Sequence, residues 1–312
     1  MKHFELRAEP TVDEVYMIAG WQQLANAGDV SFGLPHYLIK KLNAQKIGHI
    51  DSDPYYIFQT PVSNLIFRPN MKFEKGYCVD VSTHKNEFYY YEDKERGYGL
   101  VIFVGEEPQM RVGQYAEAFY GAIAQLRVKR VVTLSGIHAI VPFDKHRKIL
   151  ALYSLPHMRA IIEDYNMEPF DYNGPATIGA YLCEGAKRMN LEYLGMYALV
   201  PSYDLGQIAR TQEAANAIPI ILLEDYQAWY DVMVRVNHMF TIGLALIDLA
   251  QKGNEGMKAM REGLERLSKE APYLPIKDFL KEVTKDFVEM PFTQLGPVWE
   301  DAINDILSEE GG

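Results

Sequence analysis

Glu106 and Glu107 are the residues of this chain best suited by type to do chemistry, because adjacent acids after an apolar run could hold a metal or act as a general base. Consecutive side chains do not share a direction, so spacing alone does not make the two carboxylates converge. The structural alternative, which carries more weight, is that one of them caps the following helix, whose N-terminal dipole favours negative charge. His138 and His146 could shuttle protons, yet no partner acid is fixed by spacing, and both read as solvated or core histidines. Ser135-Gly136 lacks the Gly-x-Ser-x-Gly elbow, since Thr133 stands where the first glycine is needed. Asp51 and Asp53 resemble a metal pair, but Asp51-Ser52-Asp53-Pro54 is ordinary turn chemistry. Gly97-Tyr98-Gly99 precedes its strand, where a dinucleotide loop does not sit. The sequence holds neither Gly-x-x-x-x-Gly-Lys-Ser/Thr nor His-Glu-x-x-His, so no cofactor, catalytic metal or nucleotide hydrolysis is expected.

These residues need a scaffold, and the apolar patterning describes one. Val15 to Gly20, Lys46 to Ile50, Leu100 to Val104, Arg130 to Leu134 and Leu191 to Val200 read as strands, several of them apolar enough to be covered on both faces. Ser31 to Leu42, Gln109 to Leu126 and a segment after Pro175 read as helices between them, with Asn173 and Gly174 as cap residues and Pro175 at the first helical position. Strands alternating with helices predict a doubly wound, mostly parallel α/β sheet. Val62 to Phe67, Tyr77 to Val81 and Glu87 to Tyr91 add an antiparallel insertion of hairpin type. The run Phe88-Tyr89-Tyr90-Tyr91 reads as strand packing, with an interface as a further use for its tyrosines.

Beyond these strands the pattern turns helical. Leu223 to Lys252 reads as one long helix broken at Gly253, followed by helices at Met257 to Leu267, Ile276 to Val288 and Val298 to Leu307. The expected division is an α/β core over 1–218 and a helical unit over 219–312.

In open α/β sheets, ligands collect beyond the carboxyl ends of the parallel strands. Four loops are therefore expected to meet at one edge. They carry Gly20, Asn26, Gly28 and Asp29; Glu106, Glu107 and Pro108; Gly136 and His138; and Pro201 with Tyr203. Asn173, Gly174 and Pro175 join them from the segment before a helix.

Composition narrows the classes. A net charge of −11 and a pI near 5.3 argue against general nucleic-acid or anionic-membrane binding, which needs clustered Lys and Arg. Two cysteines, Cys78 and Cys183, without metal spacing fit a reducing compartment. No apolar signal stretch follows Met1, and Met239 to Ala250 is too short to span a bilayer. A cytoplasmic protein is expected.

The segment from Tyr172 to Leu205 also carries a resemblance. Tyr172-Asn173-Gly174-Pro175 ahead of a helix, and a strand closing in Val200-Pro201-Ser202-Tyr203, resemble the signature of the proteasome assembly chaperone type-2 family. Gly105-Glu106-Glu107-Pro108 is similar to that family's Gly-x-Glu-Pro turn, and Asn26-Ala27-Gly28-Asp29 to its step into the first long helix. The likeness covers about residues 15–205. It implies a core similar to the nucleoside phosphorylase and hydrolase folds, assembly into homo-oligomers such as trimers, and binding to proteasome subunits rather than catalysis. The chain departs from the family at Val141-Pro142-Phe143-Asp144-Lys145-His146-Arg147, where many members read Pro-His-x-Arg-Pro. It also ends Glu309-Glu310-Gly311-Gly312, without the hydrophobic-tyrosine tail through which some archaeal members dock. The competing expectation is an enzyme taking a nucleoside-like, amine or carboxylate ligand at the strand-end rim, in which case a deep pocket should contain Glu107, Asn26 or Tyr203.

Overall fold

A computed structural model describes residues 3–57, 70–82, 84–204 and 220–292. In chain order, β1 (Phe4–Leu6), β2 (Glu14–Gln22), α1 (Gly33–Leu42) and β3 (Gln45–Ile50) come first. They are followed by β4 (Asn70–Glu74), β5 (Tyr77–Ser82), β6 (Glu87–Asp93), β7 (Tyr98–Glu106), α2 (Val112–Gln125) and β8 (Arg130–Ala139). Next come β9 (Ile149–Tyr153), α3 (Arg159–Asp164), β10 (Glu168–Pro169), α4 (Ile178–Arg188) and β11 (Glu192–Tyr203). The described chain closes with β12 (Ile220–Ile221), α5 (Tyr226–Met239), α6 (Ile247–Glu270) and α7 (Ile276–Lys285).

Among the described residues, one ten-stranded sheet runs β1-β3-β6-β7-β2-β8-β11-β9-β10, with β12 paired to β11. Its centre, β7-β2-β8-β11, is parallel, and antiparallel strands extend it on both sides. The apolar runs explain why the parallel strands lie inside: alternate side chains point to opposite faces, and both faces are dry. On one face Ile18, Leu100, Ile102 and Val132 pack with Leu34 and Leu38 of α1 and with Trp229, Val232 and Val236 of α5. On the other, Met17, Trp21, Val101 and Phe103 pack with Phe119 and Ile123 of α2 and with Ile178 and Leu182 of α4. This is the doubly wound α/β layer that the sequence predicts, and α5 is one of its covering helices. The expected boundary at 218/219 touches residues outside those described, as do the strand expected at Val62 to Phe67 and the helix expected at Val298 to Leu307.

Three local expectations are corrected. The single helix expected from Leu223 to Lys252 is two helices. Thr241 takes a left-handed φ of 53°, and Arg96 Nη1 and Tyr98 Oη donate to the Ile242 carbonyl at 2.7 and 3.1 Å. Those partners sit far away in sequence and hold the break open. Gly253, expected to end a helix, instead lies inside α6. A Cβ there would come within 2.9 Å of Gln227 Oε1 and 3.2 Å of its Cα, so the missing side chain lets α6 close on α5. Finally, α4 starts at Ile178 and not at Pro175. Thr177 is its cap, accepting from the Ala180 N–H at 3.2 Å, as threonine does at that position.

β4 and β5 stand apart. They form a separate two-stranded antiparallel ribbon with a register shift after Lys72.

Candidate functional site

The parallel strands deliver their carboxyl ends to one edge. Gln22 of β2 stands beside Glu106 of β7, Ala139 of β8 beside Pro201 of β11, and Asn26, beyond the end of β2, bridges to Gly136 within β8 and not in a loop after it. Gly20 is buried near the end of β2. The loop after it folds on itself: Asn26 Oδ1 accepts from the Ser31 N–H at 3.0 Å and hydroxyl at 2.8 Å, while its Nδ2 donates to Asp29 at 2.9 Å.

On the α4 side of this edge lies a cleft of about 720 Å³. Gln22, Gln23, Asn26, Gly136, His138, Tyr172, Pro175, Thr177 and Tyr197 line it together with Leu24, Ile137, Leu152 and Phe170. Of the sequence-predicted residues the cleft thus takes Asn26, Gly136, His138 and Pro175. It takes neither Glu107 nor Tyr203. His138 is exposed on its rim. Asn173 and Gly174 are exposed in the loop leading to α4 and do not line it. Phe170, Tyr172 and Tyr197 form its aromatic wall, with ring centroids 5.2 Å apart for Phe170–Tyr172 and 4.7 Å for Phe170–Tyr197. Burial holds the Tyr197 hydroxyl above its ordinary pKa, so it is a neutral donor.

Glu106 and Glu107 diverge, as neighbours on an extended chain must. Glu107 Oε1 accepts from the Ile178 N–H at 2.7 Å, and its Oε2 from the Leu24 N–H at 3.4 Å. It therefore does serve a helix N-terminus, but that of α4 and not of the following α2. Glu106 Oε2 lies 2.5 Å from His84 Nδ1, whose ring stacks on Tyr56 with centroids 4.1 Å apart. Behind them Asn86 Oδ1 accepts from the Tyr56 and Tyr115 hydroxyls, and Trp21 Nε1 donates to Tyr115 at 2.8 Å. Pro108 is buried beside Glu107 in a smaller hollow of about 280 Å³ with Val112 and Tyr181. Among the described residues no group of three or more His, Cys, Asp or Glu is placed to hold a metal ion.

On the α5 side of the same edge the strand-end residues are tied to one another, beside a hollow of about 300 Å³ lined by His146, Gln227 and Tyr230 among others. Gly28, at φ 62°, offers its carbonyl to the Asp225 N–H and to Trp229 Nε1, each at 2.9 Å. A Cβ on Gly28 would stand 2.7 Å from that of Asp225. Asp225 caps α5 and pairs with Arg147 at 2.7 Å, both side chains no more than 2% exposed. Arg147 also donates to the Phe143 and Lys145 carbonyls at 3.0 and 2.6 Å. Asp231 accepts from the Arg147 N–H at 2.7 Å and lies 2.6 Å from His146 Nδ1, and this pairing raises the His146 pKa. Pro201 and Tyr203 are buried on β11; the Tyr203 hydroxyl donates to the Val141 carbonyl at 2.7 Å, and its ring meets Phe279 of α7. Their role in the geometry is packing.

Several residues of this edge were not singled out by sequence reasoning: Gln23, Thr177, Tyr197 and Phe170 in the cleft, His84 and Asn86 behind Glu106, and Asp225 and Asp231 in the closure. Thr177 and Asp225 carried a legible signal, as cap-type residues immediately before the helices at Ile178 and Tyr226. The run Phe88 to Tyr91 is strand packing: Phe88 is fully buried against Phe103, and Tyr89 and Tyr90 donate to Glu87 and Glu92.

Compared with known proteins, residues 18–267 match the sequence model of the PAC2 family. Among solved structures the chain is similar to a proteasome-assembly chaperone homologue of Mycobacterium tuberculosis, at 18% identity over 80% of this chain and 94% of that one, with a TM-score of 0.66. A PAC2 family protein of Streptomyces avermitilis is 18% identical over 85% and 99% of the two chains, with a TM-score of 0.67. PbaB, an archaeal proteasome activator from Pyrococcus furiosus, is 15% identical over 84% and 99%, with a TM-score of 0.58. At such identities the likeness is one of fold. No curated protein matches the sequence.

Proposed function

The chain belongs to the PAC2 family, and from that premise we propose that it is a non-enzymatic, chaperone-like protein that works as a homo-oligomer, a trimer by family analogy. Its work is to bind surfaces of other subunits in the cytoplasm, those of the proteasome first. The names of two structural neighbours, a proteasome-assembly chaperone homologue and a proteasome activator, support that choice of partner. Among the described residues no helix is long and apolar enough to cross a membrane.

The observation that carries the reading is the β4–β5 ribbon. Met71, Phe73, Tyr77, Val79 and Val81 are 42–75% exposed on it. A lone two-stranded ribbon is marginal in water, and contiguous apolar side chains left in solvent mark a binding surface. Covering each of the larger ones on a partner would contribute roughly 1.5–3 kcal/mol before ordering costs. The catalytic alternative keeps Asn26, which lines the cleft as that alternative expects, but has less to work with because Glu106 and Glu107 are each committed to contacts within the chain.

Affinity purification from the native host tests the partner: proteasome subunits should co-purify with the intact chain and be lost with Phe73→Asp/Tyr77→Asp. Light scattering tests the assembly, where that double variant should fall towards the 35.7 kDa of one chain. An intact chain that is monomeric at all micromolar concentrations, and that brings down no proteasome subunit, refutes the proposal.

A further inference from the structure

The cleft on the α4 side is more than a gap between loops. Its volume of about 720 Å³ falls in the range of small-molecule sites, roughly 300–1,000 Å³. Its floor holds a polar group with an unmet need. Gln23 is 9% exposed, and its Nε2 donates to Ser135 Oγ at 3.0 Å. Its Oε1, however, has no hydrogen-bond partner among the described residues. Buried acceptors are nearly always paired, and an exception calls for an explanation.

The character of the walls restricts what can enter. None of the residues lining the cleft is Asp, Glu, Lys or Arg. A helix N-terminus would ordinarily invite an anion, but Glu107 already occupies the Ile178 N–H of α4 at 2.7 Å, and Thr177 takes the Ala180 N–H. Apart from His138, exposed at the rim, the walls therefore offer a charged ligand no counter-charge for the water it would lose. A flat ring fares better, because Phe170, Tyr172 and Tyr197 offer aromatic faces and Leu24 and Ile137 offer apolar ones.

We propose that this cleft binds an uncharged heteroaromatic small molecule, its ring against the Phe170–Tyr172–Tyr197 wall and a ring or amide N–H donated to Gln23 Oε1 after a small turn of that amide. Nucleosides and nicotinamide share this chemistry, whereas their phosphorylated or carboxylate counterparts do not. The site is independent of the β4–β5 ribbon, so it stands or falls apart from partner binding.

The experiment is calorimetric and ligand-detected NMR titration of the full chain with uridine, adenosine and nicotinamide, each paired with its charged counterpart, UMP, AMP or nicotinate. At least one neutral compound should bind, and its charged counterpart should bind about tenfold more weakly or worse. Gln23→Met, close in shape but unable to accept, should weaken that compound about tenfold, over and above any small fall in melting temperature from losing the Nε2 bond to Ser135. Tyr172→Ala, at a rim position 58% exposed, should weaken it with no change in folding. It decides the matter if the core variant fails to fold. The proposal is overturned if no neutral compound binds up to millimolar concentration, if the charged counterparts bind equally well, or if Tyr172→Ala leaves affinity untouched. It is also overturned if Gln23→Met leaves affinity unaltered, since that marks Gln23 as structural.

Discussion

The same edge of the sheet is finished in opposite ways on its two faces. On the α5 face Arg147 spends its guanidinium on Asp225 and two carbonyls, and Gly28, Asp225 and Asp231 are each held by several partners. On the α4 face a buried glutamine keeps an acceptor with no partner among the described residues beneath an open cleft. Both faces draw on the loop after β2: Gly28 serves the closed side and Asn26 the open one. The contrast separates residues that fix the chain from residues left free to meet something else, and candidates chosen by loop membership alone mix the two.

The strongest way to break this contrast is to remove a partner from the closed side. Arg147→Met should leave the Asp225 carboxylate buried and unpaired, at a cost of about 3–5 kcal/mol, read as a lower urea midpoint with an unchanged slope. The same change should weaken the docking of α5 and with it the hydrogen bond of Trp229 to Gly28, visible as altered tryptophan fluorescence. A loss below about 1 kcal/mol would show that the pair is not what holds α5 down. Arg147→Met with Asp225→Leu removes both charges together and should recover part of the loss.

A smaller effect comes from pH. The hydrogen bond to Asp231, its largest cause, raises the His146 pKa above 6.5, against the opposing effect of burial; Glu289 adds to the rise and Arg235 opposes it. A raised folded pKa means that the protonated pair contributes its full stabilisation below about pH 6.5 and loses it as pH climbs through the higher folded value. Because the His146 side chain is 37% exposed, the contribution should stay within about 1 kcal/mol. Urea unfolding from mildly acidic to mildly alkaline pH should show this decline, and His146→Ala should flatten it. An unchanged slope in the variant would place the titrating group elsewhere.

How much of this was legible follows from the range over which each signal acts. The continuous run Leu100 to Val104 announces a buried strand because a strand covered on both faces leaves no polar position. That run and the apolar stretches of β2, β8 and β11 were enough to predict the parallel centre of the sheet. The pairings that then divide the edge are long-range. Glu107 reaches Ile178 across 71 positions, and Arg147 reaches Asp225 across 78. No local pattern records such partners. The break between α5 and α6 escaped for the same reason, since Arg96 and Tyr98 impose it from another strand. Gly253 misled because glycine marks both helix ends and close helix contacts, and only the neighbour, Gln227, distinguishes them.

The smallest expected effect bears on the residue that first drew attention. If Glu107 works as a cap for α4, Glu107→Gln keeps an acceptor for the Ile178 N–H and loses only the favourable charge at a helix N-terminus, about 0.3–1 kcal/mol. Glu107→Ala removes the acceptor as well and should cost more, about 1–3 kcal/mol for an N–H left without its partner. The order of the two variants in urea unfolding is therefore the test, with wild type above Gln and Gln above Ala. A general base would behave otherwise, because glutamine cannot take a proton and both variants would abolish an activity equally. Equal stability for all three proteins would remove Glu107 from the frame of the cleft. It would then leave the N-terminus of α4 open to an anion, which would turn the expected ligand from a neutral ring to a charged one.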